Sequence, residues 1–220
     1  MTVDVVLIND PRVVRVPIDE RGDALVDLSD VGSLLLDLRK RDVNPDFRLV
    51  REGLAHRLLT AQDRLSEEFA LVVIEGYRPI DLQARYFDEY CRELRTQHPD
   101  WSDDVVRTSA SRYVSPPDIV PPHSTGGAID LTLATNDGEE LDMGTPVNAS
   151  PEESQGACYT SAQDISGKAI RNRGLLIDAM RAAGFVNYPT EWWHWSYGDR
   201  YWAYLLGKPA AIFGAVLSSS

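Results

Sequence analysis

Hydrophobic and polar positions along the chain predict alternating helices and strands. In the segment 51–70, leucines and a phenylalanine recur at steps of three and four residues with charged residues between them, which is typical of an amphipathic helix. The β-branched run 71–74 predicts a buried strand that Gly76 and Pro79 end. A second helix is predicted for residues 81–94, with the aspartate at its start as N-cap.

A loop and a second strand are predicted next. Prolines lie towards both ends of the segment 98–122, so we expect a loop ordered by its neighbours rather than a regular element. Residues 128–135 alternate strictly between apolar and polar, with Asp130 and Thr132 on the polar face. This alternation predicts a half-buried strand that carries a carboxylate on its polar side.

The last third of the chain adds a helix and an extended aromatic segment. The helix is predicted for residues 170–183, with Gly184 as the left-handed residue that follows it. Residues 185–197 are dense in aromatic side chains and are predicted to be extended. Because the long helices precede the paired late strands, the pattern favours an α+β fold, formed by one domain over residues 1–220.

Composition and charge restrict the possible partners. The 220 residues are 43% hydrophobic and 25% charged, which is ordinary for a globular protein and argues against a collagen-like, disordered or coiled-coil chain. The 34 acidic and 22 basic residues give a net charge of −12. Such a surface repels phosphate backbones and anionic lipids, so we expect neither a nucleic-acid nor a membrane partner.

The chain also lacks the patterns that direct export. Residues 1–10 place an acid inside an apolar run with no basic region before it, unlike a signal peptide. No apolar stretch reaches the ~20 residues that span a bilayer. Cys91 and Cys158 form no CxxC pair, so neither a disulfide framework nor a thiolate metal site is indicated. We therefore expect a cytoplasmic protein with two plain buried or half-buried thiols.

Two of the four histidines stand in sequence surroundings that suggest chemistry. His56 and His98 are interpreted as surface or capping residues. His123 begins the stretch His-Ser-Thr-Gly-Gly-Ala-Ile-Asp, which ends at Asp130 on the polar side of the predicted strand. The two glycines allow the histidine to fold back over that carboxylate. Taken alone, this pair is equally consistent with a structural hydrogen bond.

A second cluster favours a metal site. Glu191-Trp-Trp-His194 places a glutamate and a histidine three residues apart among indoles, where a buried carboxylate needs compensation, usually by a divalent cation. His123, Asp130 and His194 form a set that suits zinc and leaves a fourth position for water, so Glu191 is free to act as general base. The chain must turn or bulge between residues 191 and 194, because these positions point to opposite faces of a regular strand. The alternative is an aromatic core segment with one satisfied histidine.

These residues resemble the zinc D-alanyl-D-alanine dipeptidases related to VanX, in the peptidase group that also contains DD-carboxypeptidases and the hedgehog fold. The likeness lies in His123-x-x-Gly-x-Ala-x-Asp130 and Glu191-x-x-His194, and extends to Gly-Tyr-Arg78-Pro and Met-Gly-Thr, so it covers roughly residues 70–200. It implies a hedgehog/DD-peptidase-like domain with a small mixed or antiparallel sheet flanked by helices.

The resemblance also implies roles for individual residues. His123, Asp130 and His194 would hold one zinc ion per chain, and Glu191 would be the catalytic base. Arg78 would polarise the scissile carbonyl or stabilise the oxyanion; without the family it could equally be a surface salt-bridge residue. The substrate contacts expected near these motifs are Tyr77, Asn148 and Trp193.

The chain departs from the family pattern at two positions that bear on specificity. Family members usually have Phe-Asp after Met-Gly-Thr, and that aspartate helps to hold the substrate ammonium, but this chain has Val147-Asn148. They usually have serine two residues before the first histidine ligand, where this chain has Pro121. Zinc hydrolysis is untouched by these changes, whereas the identity of the dipeptide is affected.

Three functional hypotheses follow. The first is a zinc dipeptidase that cleaves a small dipeptide, D-Ala-D-Ala by resemblance, through attack of a zinc-activated water. The second is a DD-carboxypeptidase or stem-peptide endopeptidase of the same fold. The third is a zinc-dependent binding protein without turnover, which would have no need of Glu191.

Overall fold

A five-stranded mixed sheet organises the part of the chain that the structure, a computed structural model, describes, namely residues 5–32 and 34–216. The strands are β1 (Leu25–Asp27), β2 (Leu35–Leu36), β3 (Leu49–Arg51), β4 (Phe69–Glu75), β5 (Ala128–Thr135), β6 (Val186–Asn187) and β7 (His194–Ser196). The main sheet has the order β2-β4-β5-β7-β6, with β2 parallel to β4 and the other neighbours antiparallel. Strands β1 and β3 form a separate antiparallel pair. The predicted α+β fold with a mixed sheet is confirmed.

The described residues also form α-helices, which lie before, between and after the strands in the chain. They are α1 (Pro11–Val14), α2 (Glu52–Gln62), α3 (Ile80–Gln97), α4 (Asp103–Ala110), α5 (Gly167–Ala182) and α6 (Arg200–Leu205). The buried faces of α2 and α5 join the sheet in the main hydrophobic core, whereas α3 and α4 share a second, smaller cluster. No helix among residues 5–32 and 34–216 is long and apolar enough to cross a bilayer. The first four residues, on which the signal-peptide argument drew, lie outside the described range.

The predicted helices occur, but their bounds differ from the prediction. Helix α2 ends at Gln62 rather than at residue 70, because the Gln62 side chain bonds the backbone of Phe69 and Leu71 and so joins the helix end to the start of β4. Helix α3 begins after Pro79, whose carbonyl accepts the first helical hydrogen bond at 3.0 Å. The prediction of Asp81 as N-cap is therefore wrong: this residue lies in the first turn.

The prediction of a loop throughout 98–122 is wrong for residues 103–110, which form α4. The prolines that suggested a loop lie outside this helix, so they do not oppose it. The Ser102 side chain accepts a hydrogen bond from the backbone of Val105, and two aspartates in the first turn complement the positive end of the helix dipole. This cap was the signal for the helix in the sequence.

Strand β5 has the predicted bounds, but the prediction that it is half-buried is wrong. All of its residues except Thr135 are buried, and the polar side chains Asp130 and Thr132 are 3% and 0% exposed. Because β5 lies between β4 and β7 in the middle of the sheet, its polar face is enclosed by protein rather than by water. The carboxylate of Asp130 therefore needs partners inside the molecule.

The register of the sheet brings three polar residues into one row. Asp130 on β5 lies opposite Glu75 on β4 and opposite His194 on β7. The pairing with Glu75 depends on a β-bulge in β4 at Ile74, since the register shifts between Val73 and Glu75. Without this bulge Glu75 would pair one position further along β5, and alternation would direct its side chain to the other face of the sheet.

The segment 185–197 is extended only at its ends. Strands β6 and β7 pair antiparallel, and a turn joins them in which the Glu191 amide donates to the carbonyl of Tyr188 and the His194 amide donates to the carbonyl of Glu191. The predicted break in the strand between residues 191 and 194 is confirmed as this turn. Upstream, α5 begins three residues earlier than predicted, after the N-cap Ser166, and Gly184 follows it with φ +86° as expected.

A buried arginine fixes the long connection between β5 and α5. Arg173 on α5 donates three hydrogen bonds of 2.7–2.8 Å, to the carbonyl oxygens of Met143, Ala157 and Tyr159. The guanidinium also lies 5.6 Å from the ring centre of Trp192, which connects this segment to the β6–β7 turn. Although the segment 143–159 contains no helix or strand, it is thereby held against the sheet.

Candidate metal centre and substrate cavity

Three buried side chains present donor atoms to one point. The Nε2 of His123, the Oδ1 of Asp130 and the Nδ1 of His194 are 3.0–3.4 Å from one another. The three residues are only 3–5% exposed. The row across β5 and β7 places Asp130 beside His194, and His123 reaches them from the turn before β5, so the sequence-predicted set converges.

The fold orients the first of these ligands through its second nitrogen. His123 begins a 3-10 turn that ends at Gly126, whose φ of +68° is the left-handed conformation that glycine adopts without steric cost. The Nδ1 of His123 lies 2.7 Å from the carbonyl oxygen of Gly76, and a proton on Nδ1 would donate to it. Such a bond leaves the lone pair of Nε2 directed at Asp130 and His194, as metal-binding histidines require.

The geometry and chemistry of this donor set fit zinc. Bond lengths of 2.0–2.1 Å in a tetrahedral site imply donor atoms separated by about 3.3 Å, close to the separations observed among His123, Asp130 and His194. Two imidazole nitrogens and one carboxylate oxygen are typical zinc ligands, and three protein ligands leave the fourth position for water or substrate. These three residues could therefore hold a metal ion.

Glu191 lies beside the three ligands without joining them. Its Oε2 is 3.9 Å from the Nδ1 of His194, and the residue is 6% exposed. Burial and, after it, the negative charge of Asp130 raise the pKa of Glu191 well above its usual value. The opposite holds for Asp130: burial alone would raise its pKa, but the charges and hydrogen bonds of His123 and His194 outweigh this and hold it well below the usual range. Glu191 is therefore suited to accept a proton, whereas Asp130 is suited to bind a metal as a carboxylate.

Arg78 is held by a buried ion pair rather than by surface contacts. Its Nε and Nη2 donate to the two carboxylate oxygens of Glu75 at 3.0 and 2.6 Å, and its Nη1 donates to the side chain of Gln83 at 2.9 Å. Burial alone would lower the pKa of the Arg78 guanidinium, but the negative charge and hydrogen bonds of Glu75 outweigh this effect and raise the pKa. The Nη2 is also 3.9 Å from the Oδ2 of Asp130. The free edge of the guanidinium is thus fixed next to the ligand cluster.

Glu75 orients Arg78 and was not predicted from the sequence as a site residue. It is fully buried, and although burial alone would raise its pKa, the positive charge of Arg78 and its hydrogen bonds lower it to about 2. The side-chain amide of Asn44 donates to Glu75 as well, at 2.9 Å. The available signal was a glutamate at the end of an apolar strand, immediately before the Gly-Tyr-Arg motif.

A cavity of about 290 Å³ opens over the ligand cluster. Its lining includes all three ligands together with Glu191, Arg78 and Asn148. This volume is at the lower end of the roughly 300–1,000 Å³ typical of small-molecule sites. Most of the predicted site residues are therefore brought together around one space that suits a small substrate.

The other two predicted substrate contacts, Tyr77 and Trp193, are not part of the cavity lining. Tyr77 is half-buried, with its backbone bonded to Leu49 and Asn44. Trp193 is 1% exposed and packs edge-to-face on Trp192. A side-chain hydrogen bond from Trp193 opposes the rise in the pKa of Glu191 that burial causes.

The remaining histidines and both cysteines lie outside the ligand cluster. His56 is exposed, and His98 is the C-cap residue of α3 and stacks on Trp101 with ring centres 3.8 Å apart. These surface and capping interpretations are confirmed. Cys91 and Cys158 are buried free thiols, as expected.

A comparison with protein families identifies the chain. The Peptidase M15 model, described as D-Ala-D-Ala dipeptidase, matches residues 39–207, which span more than half of the chain. The chain belongs to this family. Among similar proteins, the D-alanyl-D-alanine dipeptidase of Synechocystis sp. is 28% identical over 86% of this chain and 87% of its own length. The enzyme of the same name from Enterococcus faecium is 32% identical over 66% of this chain and 71% of its own length.

The solved structures agree with this assignment at the level of the fold. The structure of VanYB in complex with D-alanine-D-alanine superposes with a TM-score of 0.50 at 16% identity, and covers 86% of this chain and 87% of that one. The predicted DD-peptidase-like fold is therefore confirmed. Together with the buried His-Asp-His cluster, M15 membership makes the chain a metallopeptidase of the D-alanyl-D-alanine dipeptidase type.

Proposed function

We propose that the chain hydrolyses a small dipeptide with free ends, D-Ala-D-Ala by family, using one zinc ion held by His123, Asp130 and His194. The observation that carries this proposal is the convergence of these three donors next to Glu191 and Arg78, at the wall of one small cavity. A cytoplasmic location, favoured by the two free thiols, remains a prediction.

Zinc, when bound, polarises the scissile carbonyl and lowers the pKa of water to about 7. Glu191 takes the proton of the attacking water and later delivers it to the nitrogen of the leaving amino acid. The raised pKa of Glu191 suits this work, because a base operates best when its pKa approaches the working pH. Asp130 stays ionised throughout, since its pKa is held low.

Arg78 is proposed to bind the carbonyl oxygen as negative charge develops on it. Two N–H groups are available for this, because three of the five donors are engaged by Glu75 and Gln83. A guanidinium fixed before the reaction loses little entropy in the transition state. Glu75 acts as a positioning residue for this group.

Replacement of Arg78 by lysine is expected to lower kcat about 100-fold or more and to change KM much less. Lysine retains the charge but cannot bond both oxygens of Glu75 and also reach the substrate, so the donor is lost where charge develops. Steady-state kinetics measure the effect, and zinc content together with the melting temperature verifies that the variant is folded. An unchanged kcat in a folded, zinc-loaded Arg78→Lys protein would contradict this role.

The ammonium of a free dipeptide needs a partner at the other end of the cavity. Asn148 lines the cavity at φ +65°, a left-handed conformation that asparagine and aspartate tolerate, and its backbone carbonyl accepts a hydrogen bond from the Tyr113 hydroxyl. Asp142 is exposed, outside the lining, and bonded to Gly144 and Ser166. The acids that share the lining with Asn148 on the same segment are Glu152 and Glu153.

An Asn148→Asp variant is expected to prefer free over N-acetylated D-Ala-D-Ala more strongly than the wild type does. A carboxylate facing the ammonium strengthens the hydrogen bond by ~1 kcal/mol, which corresponds to about a fivefold gain in kcat/KM. The N-acetyl dipeptide serves as control because it has no ammonium. If the preference is unchanged while Glu152→Gln or Glu153→Gln weakens it, the ammonium is held by that glutamate and not at position 148.

The proposed function is tested by incubating the zinc-loaded protein with LL, LD, DL and DD dipeptides and with longer peptides that end in D-Ala-D-Ala. Release of amino acids from a free dipeptide is the expected result. Cleavage of the longer peptides alone would instead favour the carboxypeptidase or endopeptidase alternative. Tight binding without turnover would favour the binding-protein alternative.

A further inference from the structure

Basic and acidic side chains both line the cavity. Among the described residues of the lining, Lys40 and Arg78 are the lysine and arginine side chains, and they lie at the end where α3 begins. The lining residues of α3 include Glu89 and Glu93 and continue to Gln97, and Glu93 lies about 15 Å along the helix from Gln83 at 1.5 Å per residue. Both cations therefore lie at the end that also holds the ligand cluster and Glu191, whereas the glutamates of α3 line the cavity towards its other end.

Lys40 stands next to Arg78 at the end of the cavity where α3 begins. Its Nζ is 3.7 Å from Oε2 of Glu75, the same oxygen that accepts a hydrogen bond from Arg78 at 2.6 Å. Both cations also lie over the ring of Tyr86, at 5.2 Å for Lys40 and 4.9 Å for Arg78. The backbone of Lys40 is fixed by a turn in which its carbonyl accepts a hydrogen bond from Asn44 at 2.8 Å. The turn and the Tyr86 ring therefore place the Lys40 ammonium group beside Arg78.

Glu75 does not need Lys40 as a partner. Its two oxygens already accept hydrogen bonds from two nitrogens of Arg78 and from Asn44, all within 3.0 Å. The 3.7 Å separation from Lys40 is too long for a hydrogen bond. Two cations thus share one carboxylate, and Lys40 is the one of the two that is not hydrogen-bonded to it. The Lys40 side chain is 18% exposed and keeps its hydrogen bonds available.

We propose that Lys40 binds the C-terminal carboxylate of the substrate. The inference rests on the proposed dipeptidase function and deepens it, because it assigns the residue that recognises the free α-carboxylate of the amino acid that is released. In a dipeptide this carboxylate lies one residue beyond the scissile carbonyl, within about 4 Å. Lys40 stands beside Arg78, the proposed ligand of that carbonyl.

The test compares D-Ala-D-Ala with its C-terminal carboxamide, which has the same shape but no charge at this end. Zinc-loaded wild type, Lys40→Met, Lys40→Arg and the matched control Lys208→Met are assayed with both compounds. Lys208 also lies over an aromatic ring, that of Trp202, but is exposed and outside the cavity. Because a hydrogen bond between charged groups is lost, Lys40→Met is expected to lower kcat/KM for the acid about 10- to 100-fold and to leave the amide within about twofold. Lys40→Arg is expected to keep most of the preference for the acid.

Equal losses for acid and amide in Lys40→Met would overturn the proposal, because they would mean that Lys40 only supports the fold or Arg78. Binding is measured separately by calorimetry in the zinc-loaded Glu191→Gln protein, where the acid is expected to bind at least about tenfold more tightly than the amide. If the wild type cleaves no dipeptide, the proposed function fails, and this binding ratio decides the role of Lys40 by itself. A ratio near one, or no detectable binding of the acid, would overturn it.

Discussion

Replacement of Glu191 by glutamine is expected to leave zinc bound and to lower kcat by at least about 100-fold. Glutamine keeps the size of the side chain and most of its hydrogen bonding but cannot accept a proton, and loss of a general base costs about 10²–10⁴ in rate. The structure supports the separation of the two effects, because Glu191 lies 3.9 Å from the His194 nitrogen and is not one of the three converging donors. Elemental analysis and steady-state kinetics on the same preparation measure both quantities.

The control for this experiment is Glu140→Gln, which makes the same change in an exposed glutamate that pairs with Arg39 outside the cavity. It is expected to keep wild-type turnover. Near-normal activity in Glu191→Gln would rule out the assigned mechanism. Zinc lost together with activity would instead mean that Glu191 is part of the metal site.

Replacement of His194 by alanine is expected to abolish stoichiometric zinc binding. The residue supplies one of three buried donors, so its loss should weaken affinity by more than the 10- to 100-fold that follows from removing a hydrogen-bond partner behind a ligand. In the wild type, zinc at 100 times its Kd should stabilise the fold by about 2.7 kcal/mol, because only the folded chain assembles the site. In His194→Ala this zinc-dependent rise in melting temperature should disappear.

His123→Ala is expected to behave in the same way, and His56→Ala, at an exposed position on α2, should bind zinc like the wild type. Zinc content and melting temperature with and without a chelator are the measurements. Retention of tight, stoichiometric zinc in either ligand variant would show that the metal is bound elsewhere.

The metal cluster could be predicted from the sequence because its parts are local patterns. The alternation of residues 128–135 predicted the bounds of β5 and the face of the strand on which Asp130 lies. The glycines after His123 allow the turn that brings the His123 side chain back to this strand. The spacing of Glu191 and His194 required a break in the chain, and the turn before β7 supplies it. In each case the neighbours in sequence decide the geometry.

The remainder could not be predicted because it depends on contacts between distant segments. Glu75 faces Asp130 only because of the bulge in β4, and periodicity does not reveal a register shift. Tyr77, in the Gly-Tyr-Arg-Pro stretch, was expected to contact the substrate, but it does not line the cavity, and a short motif does not reveal which of its side chains face the site. Lys40 belongs to the turn after β2, in a part of the chain where no motif was recognised.

The way in which Arg173 holds the segment 143–159 has a consequence for how the family diverges. All three of its hydrogen bonds go to backbone carbonyls, which every amino acid offers, so these three bonds do not depend on the side chains at positions 143, 157 and 159. The cavity-facing residues Glu152 and Glu153 add side-chain bonds to this anchoring, since they accept hydrogen bonds from Tyr90 and Ser150. Position 148 is restricted because of its left-handed backbone. On the proposed function, the metal ligands lie on or next to the sheet, whereas Asn148 lies on this separate segment, so an aspartate-to-asparagine change at position 148 can alter substrate preference without touching the ligands.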